Sequence, residues 1–196
     1  PPQLTAFAAG INIPGALKGR GYLEMGSRMV DGHQVSEIKG QIDVTILPVQ
    51  VRIAAGLGIA HIDPDQTGVI VTLDVEFPVA IPLANSGLGI YGFLGLFAMN
   101  YSRDESKGTP ATGMAPALAW LRATGGDPTR IDFWKPELNT WAFGVGALLG
   151  TMGSSIIFNL KGVALLEEMA SAKRPVSSRV GLFIADSLFI TITNAN

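Results

Sequence analysis

The stretch Asp63-Pro64-Asp65-Gln66-Thr67-Gly68 carries the first half of a calcium-loop pattern. Such a loop takes oxygen ligands from its first, third and fifth positions, here Asp63, Asp65 and Thr67, with a glycine next for the sharp turn. Asp74 falls where the closing bidentate Glu would stand, but its side chain is shorter. Pro64 is out of place in such a loop, and the flanking residues alternate as strands do. A plain hairpin turn is therefore the first expectation, and calcium held by Asp63, Asp65, Thr67 and Asp74 is the competing one.

Other chemistry-bearing patterns are thinner. Gly87-Leu88-Gly89-Ile90-Tyr91-Gly92 matches the dinucleotide glycine spacing, but that motif needs a following helix to meet the pyrophosphate. Phe93-Leu94-Gly95-Leu96-Phe97 opens no helix, so these glycines read as places where a strand bends or approaches another backbone. His33 and His61 are the only histidines, and no serine sits in a nucleophile elbow. The adjacent carboxylates Asp104-Glu105 and Glu167-Glu168 read as solvated surface, because acid–base pairs usually come from separate segments facing a cleft. Asn100-Tyr101-Ser102 is a glycosylation sequon. With no cysteine in the chain, disulfides, zinc–thiolate sites and thiol catalysis are excluded. The expectation is a protein that is not an enzyme.

The elements around these residues are mostly strands. Ile38, Ile42, Val44 and Ile46 share one face, opposite Asp43 and Thr45. After Pro48 the phase changes: Val49, Val51, Ile53, Leu57 and Ile59 share a face, opposite Gln50 and Arg52. Val69, Val71, Leu73, Val75 and Phe77 form a third set, opposite Thr72, Asp74 and Glu76. Half-buried antiparallel strands read this way. Residues 61–68 join the second and third sets as a hairpin, and further strands are expected near 88–100, 141–150, 155–167 and 179–193. One short helix is expected near 113–124, with Pro116 close to its start, Gly125-Gly126 past its end, and Leu118 and Leu121 facing the sheet. Residues 124–140 read as an irregular connection.

The fold class is mainly β: an antiparallel, strongly amphipathic sheet forming a curved sheet, sandwich or half-barrel. Residues 1–196 are expected to form a single domain belonging to a longer chain or assembly. Leu47-Pro48-Val49-Gln50-Val51 is echoed by Phe77-Pro78-Val79-Ala80-Ile81, and Gly56-Leu57-Gly58-Ile59 by Gly87-Leu88-Gly89-Ile90, as in a duplicated unit or in two strands sharing a vocabulary.

Composition narrows the function. Apolar residues make up 47% and charged residues 15% of the chain, against a usual charged share of about 25%. That is too little charge to cover a soluble surface without a partner, a ligand or a membrane. The net charge of −2 and scattered basic residues exclude a nucleic-acid footprint. No signal-peptide pattern is present, and absence of cysteine leaves the compartment open while suiting an exported, cell-surface or particle-associated protein.

The run from Gly89 to Tyr101, Gly-Ile-Tyr-Gly-Phe-Leu-Gly-Leu-Phe-Ala-Met-Asn-Tyr, resembles a motif in a family of very long, repetitive, β-rich bacterial proteins of unknown function. There a glycine-rich strand ends in Asn and a basic residue, here Asn100 and Arg103. A short helix follows, here Pro116 to Arg122, then an aromatic-Gly strand, here Trp141 to Gly144 with Leu149-Gly150, and a closing pair beginning at Leu165-Leu166-Glu167. A proline common after that Leu-Glu is replaced by Glu168-Met169. The resemblance spans roughly residues 35–193 and implies a repetitive multi-domain parent, with no known chemistry attached.

Three functions follow as expectations. The first is a non-catalytic structural or assembly module, self-associating or pairing with the rest of a longer chain through an apolar sheet face. Its candidate residues are Ile42, Val44, Ile46, Val49, Val51, Ile53, Val69, Val71, Leu73 and Val75. The second is a groove for lipid or another apolar ligand, lined by the alternating apolar residues from Ile38 to Phe77. The third is a membrane-inserting protein acting through 88–100 and 141–158.

Overall fold

A computed structural model describes residues 5–30, 32–62, 64–108, 114, 116–125, 127–152, 159–169, 177–184 and 189–195. Among these residues ten strands form one antiparallel sheet whose spatial order follows the sequence. They are β1 (Ala6–Ile13), β2 (Leu17–Val30), β3 (His33–Ile46), β4 (Val51–Ile62), β5 (Gln66–Pro82), β6 (Leu88–Arg103), β7 (Trp134–Thr151), β8 (Asn159–Met169), β9 (Ser177–Ile184) and β10 (Phe189–Ala195). The mainly β expectation holds. No ladder joins β1 to β10 among the described residues.

Period-2 alternation sorts the side chains onto two faces. One face is packed. Val35, Ala60, Ile62, Ile70, Leu94, Leu96, Ala98, Ala142 and Leu165 are buried there with Tyr101, Trp120 and Trp134. Many positions on this face are small, and Gly56 faces the side chains of Thr72 and Ile131. The other face is bare.

The β6–β7 connection covers the packed face. It contains a short 3₁₀ turn (Glu105–Lys107), the helix α1 (Pro116–Ala123) and a second 3₁₀ turn (Ile131–Phe133). Trp120 and Trp134 meet edge to face at 5.7 Å. The indole N–H of Trp120 donates to the Phe133 carbonyl, and that of Trp134 to the Pro128 carbonyl, so both buried rings keep a partner for their one polar atom.

The connection can pack here because β6 changes phase. Asn100 takes a left-handed backbone conformation (φ 52°) where the β6–β7 register shifts. Its Nδ2 donates to the Thr67 carbonyl and its Oδ1 accepts the Asn139 N–H. Ala98 and then Tyr101 therefore both lie on the packed side. The sequon asparagine is thus engaged on both side-chain atoms.

Several expectations are corrected. Residues 134–140 are not an irregular connection but the start of β7. Val49 is not on a strand face. It lies in the four-residue turn 47–50, which Gln50 closes with φ 53° and a 2.6 Å bond from its Nε2 to the Leu47 carbonyl. The two halves of the internal echo occupy unlike places, since Leu47-Pro48 is a turn while Phe77-Pro78 lies within β5. The helix starts at Pro116, and the side chains of Leu118 and Leu121 lie outside those described.

Candidate functional site: a bare apolar face over an ion-paired one

The bare face follows directly from the register. Gly40, Leu57, Val71, Phe97, Phe143 and Leu166 form one cross-strand row from β3 to β8. Its large members are 40–49% exposed. Ile38, Ile59, Val69, Met99 and Trp141 form the neighbouring row. Ile42, Ala55, Leu73, Gly95 and Val145 form the row on the other side. Phe7, Leu23 and Met25 extend the exposed apolar surface onto β1 and β2.

On each central strand the apolar band runs about nine residues, for example Ile38–Ile46, Val51–Ile59 and Trp141–Leu149. No Asp, Glu, Lys or Arg occupies a bare-face position within these bands. One rim is polar. Ser27, Ser36, His61 and Thr67 stand in register, all exposed, and the hydroxyls of Ser27 and Ser36 meet at 2.9 Å.

The packed face carries the charge. Arg52 gathers three carboxylates. Its Nε and Nη2 bond the two oxygens of Asp43 at 2.9 Å each, and its Nη1 lies 3.0 Å from Glu76 and 3.5 Å from buried Asp74. Near the polar rim Arg103 bonds both oxygens of Glu167 at 2.8 and 2.9 Å and lies over the Trp120 ring at 5.5 Å. Tyr101 donates to Glu37, which also pairs with Arg28. Arg28, Arg103, Glu137 and Glu167 line a cleft of about 540 Å³.

The candidate residues therefore divide as follows. Ile42, Val71 and Leu73 are exposed on the bare face, and Val44, Ile46, Val51, Ile53, Val69 and Val75 are half-buried there. The calcium set does not assemble. Asp63 lies outside the described residues, while Asp65, at the head of the turn, and Asp74, well along β5, are roughly 30 Å apart along an extended chain. Asp74 is committed to Arg52 instead. His33 and His61 sit on opposite faces.

The solvated reading of the paired acids is overturned for Asp104 and Glu167. Both are buried, Asp104 accepting from Ser106 and Glu167 from Arg103. The glycine pattern at 87–92 spans a turn and the first residues of β6. There a side chain at Gly92 would strike the β5 backbone at Val75. Sequence reasoning missed Tyr22, Arg28, Tyr101 and Arg103. Their partners lie far along the chain or on other elements, Asp132 in the second 3₁₀ turn for Tyr22, Glu37 on β3 for Arg28 and Tyr101, and Glu167 on β8 for Arg103, so no local pattern marks them.

No protein family, characterised protein or solved structure matches this chain. The functional reading therefore rests on the two faces. Among the described residues no helix is long and apolar enough to cross a membrane, a criterion that does not bear on strands.

Proposed function

We propose that this chain is a non-catalytic structural module whose bare sheet face lies against lipid hydrocarbon, with the ion-paired face turned inward. The carrying observation is the uncharged apolar band of about nine residues repeated on successive strands, the length a tilted strand needs to cross a bilayer core. Exposed apolar side chains outside and charged side chains inside is the alternation of a membrane β-sheet, the reverse of a water-soluble sandwich. The insertion takes place through the strands themselves, including 88–100 and 141–150, rather than through a helix. The test is flotation of the refolded full chain with phosphatidylcholine vesicles. Co-flotation with protease protection of the strands is expected. A monodisperse monomer that stays out of the vesicles would overturn the reading.

A second reading, assembly through sheet edges, is favoured by one observation: β1 and β10 each have a single described neighbour. An unpaired edge recruits another strand, and hydrocarbon does not tolerate one left open. Crosslinking between cysteines placed at Ala9 and on neighbouring copies tests it, and absence of any crosslinked species in vesicles would count against it.

A further inference from the structure

We infer that the packed side of the sheet holds a binding chamber for a small oxyanion, a free carboxylate or phosphate compound, seated on Arg20 and Arg130. A cavity of about 760 Å³ opens between β1–β4 and the segment leading into the second 3₁₀ turn. That volume is of ligand-pocket size. Ala8 and Gly10 make one wall, and a methyl at one and no side chain at the other leave the space open toward Arg20, Tyr22 and Gln41 on the adjoining strands.

The lining holds three arginines and three aspartates, Arg20, Arg52, Arg130, Asp43, Asp127 and Asp132, so the commitments of each decide what the chamber accepts. Each carboxylate already accepts. Both oxygens of Asp43 take bonds from Arg52. Asp132 accepts the Tyr22 hydroxyl at 2.6 Å. Asp127 accepts the N–H and hydroxyl of Thr129 on one oxygen, closing its own turn. Arg52 is compensated by three acids.

Arg20 and Arg130 differ. Arg20 is exposed at the edge of the cavity and stands directly across from Asp43, whose oxygens are already turned to Arg52. Arg130 stacks over Phe133 at 4.8 Å and gives one long bond, 3.5 Å, to the Thr124 carbonyl. A guanidinium carries five N–H donors in a fork that suits carboxylate and phosphate. Stacking orients Arg130 while leaving donors on its edge. The formal charges of this lining balance, so what favours an oxyanion over a cation is its donors: Arg20 and Arg130 keep N–H groups to give, while each aspartate already accepts.

The chamber owes nothing to lipid contact, so its test is separable from that of the membrane reading. The full chain in dodecyl maltoside is titrated with succinate and with inorganic phosphate by calorimetry, at low and high chloride. Saturable binding is expected, weakening as chloride rises. Arg20→Gln and Arg130→Gln should each weaken it at least tenfold, and Arg28→Gln, in the other cleft, should leave it unchanged. Ala8→Leu keeps both arginines and fills the chamber, so it should abolish binding without touching charge. Binding retained in the Arg20→Gln/Arg130→Gln double variant, or no binding of either anion to the folded wild type, would overturn the inference.

Discussion

The hydroxyl of Tyr22 on β2 donates to Asp132 Oδ1 at 2.6 Å, joining residues 110 positions apart. This bond ties the long β6–β7 connection to the far side of the sheet. Ile131, beside Asp132, is buried over Gly56 of β4. Together they hold the connection across the packed face.

Tyr22→Phe keeps the ring and removes the donor, leaving Asp132 short of a partner. A hydrogen bond to a charged group contributes about 1.5–3 kcal/mol, and the half-buried site puts the expected loss near the lower end. Thermal unfolding should show that loss, and limited proteolysis should cut within 104–133 faster. An unchanged cleavage rate would mean that the connection is held by its apolar contacts alone.

Arg52→Met should be far more damaging than its exposure suggests. It removes the cation that Asp43, Glu76 and the buried Asp74 share. Removing one member of a buried pair costs about 3–5 kcal/mol, and since Arg52 is one-third exposed the expected loss is about 2–4 kcal/mol. Adding Asp74→Leu to Arg52→Met should recover part of the loss, because the stranded buried charge goes with its partner. Denaturant unfolding of both variants checks this. A double variant no more stable than Arg52→Met would locate the cost elsewhere.

Gly56→Ala tests the seat of Ile131. A methyl there would lie 2.5 Å from Thr72 Oγ1 and meet Ile131 Cγ2, so one of the two must move. Overpacking of this kind costs about 1–3 kcal/mol. Ile131→Ala removes the Cγ2 that the methyl meets, so the double variant should lose less than the sum of the two single losses, and denaturant midpoints of all three variants provide the measure. Additive losses would show that the two positions do not share space.

Some of this was legible in the chain and some was not, for physical reasons. The alternation over Ile38–Ile46, Val51–Ile59 and Val69–Val75 marks β3, β4 and β5 because every second residue is branched and apolar. β1 and β2 escape the same reading because Ala9, Gly19 and Gly21 occupy bare-face positions and blank the apolar period. The start of β7 is hidden by Pro136 and by Asn139, whose left-handed φ of 59° interrupts the strand. Alternation also reports which residues share a face without reporting which face is covered. That is decided here by Arg52 reaching Asp43, Asp74 and Glu76 on neighbouring strands, and by Trp120 and Ile131 arriving from a distant connection.

The two faces yield a position-dependent prediction. Val71 is in the central row of the bare face, between Leu57 and Phe97, and Thr67 is at the polar rim on the same face of the same strand. If the row meets hydrocarbon, an arginine at Val71 costs about 2–4 kcal/mol and one at Thr67 about 0–1. On a water-exposed face neither would matter, since both residues already face outward and Val71 is 45% exposed. Folding of Val71→Arg and Thr67→Arg into vesicles, followed by denaturant titration, distinguishes the cases. A large loss at Val71 with little at Thr67 places the bilayer core at the Leu57–Val71–Phe97–Phe143 row. Equal small effects would remove lipid from that row and leave another protein surface or a bound apolar ligand as its cover.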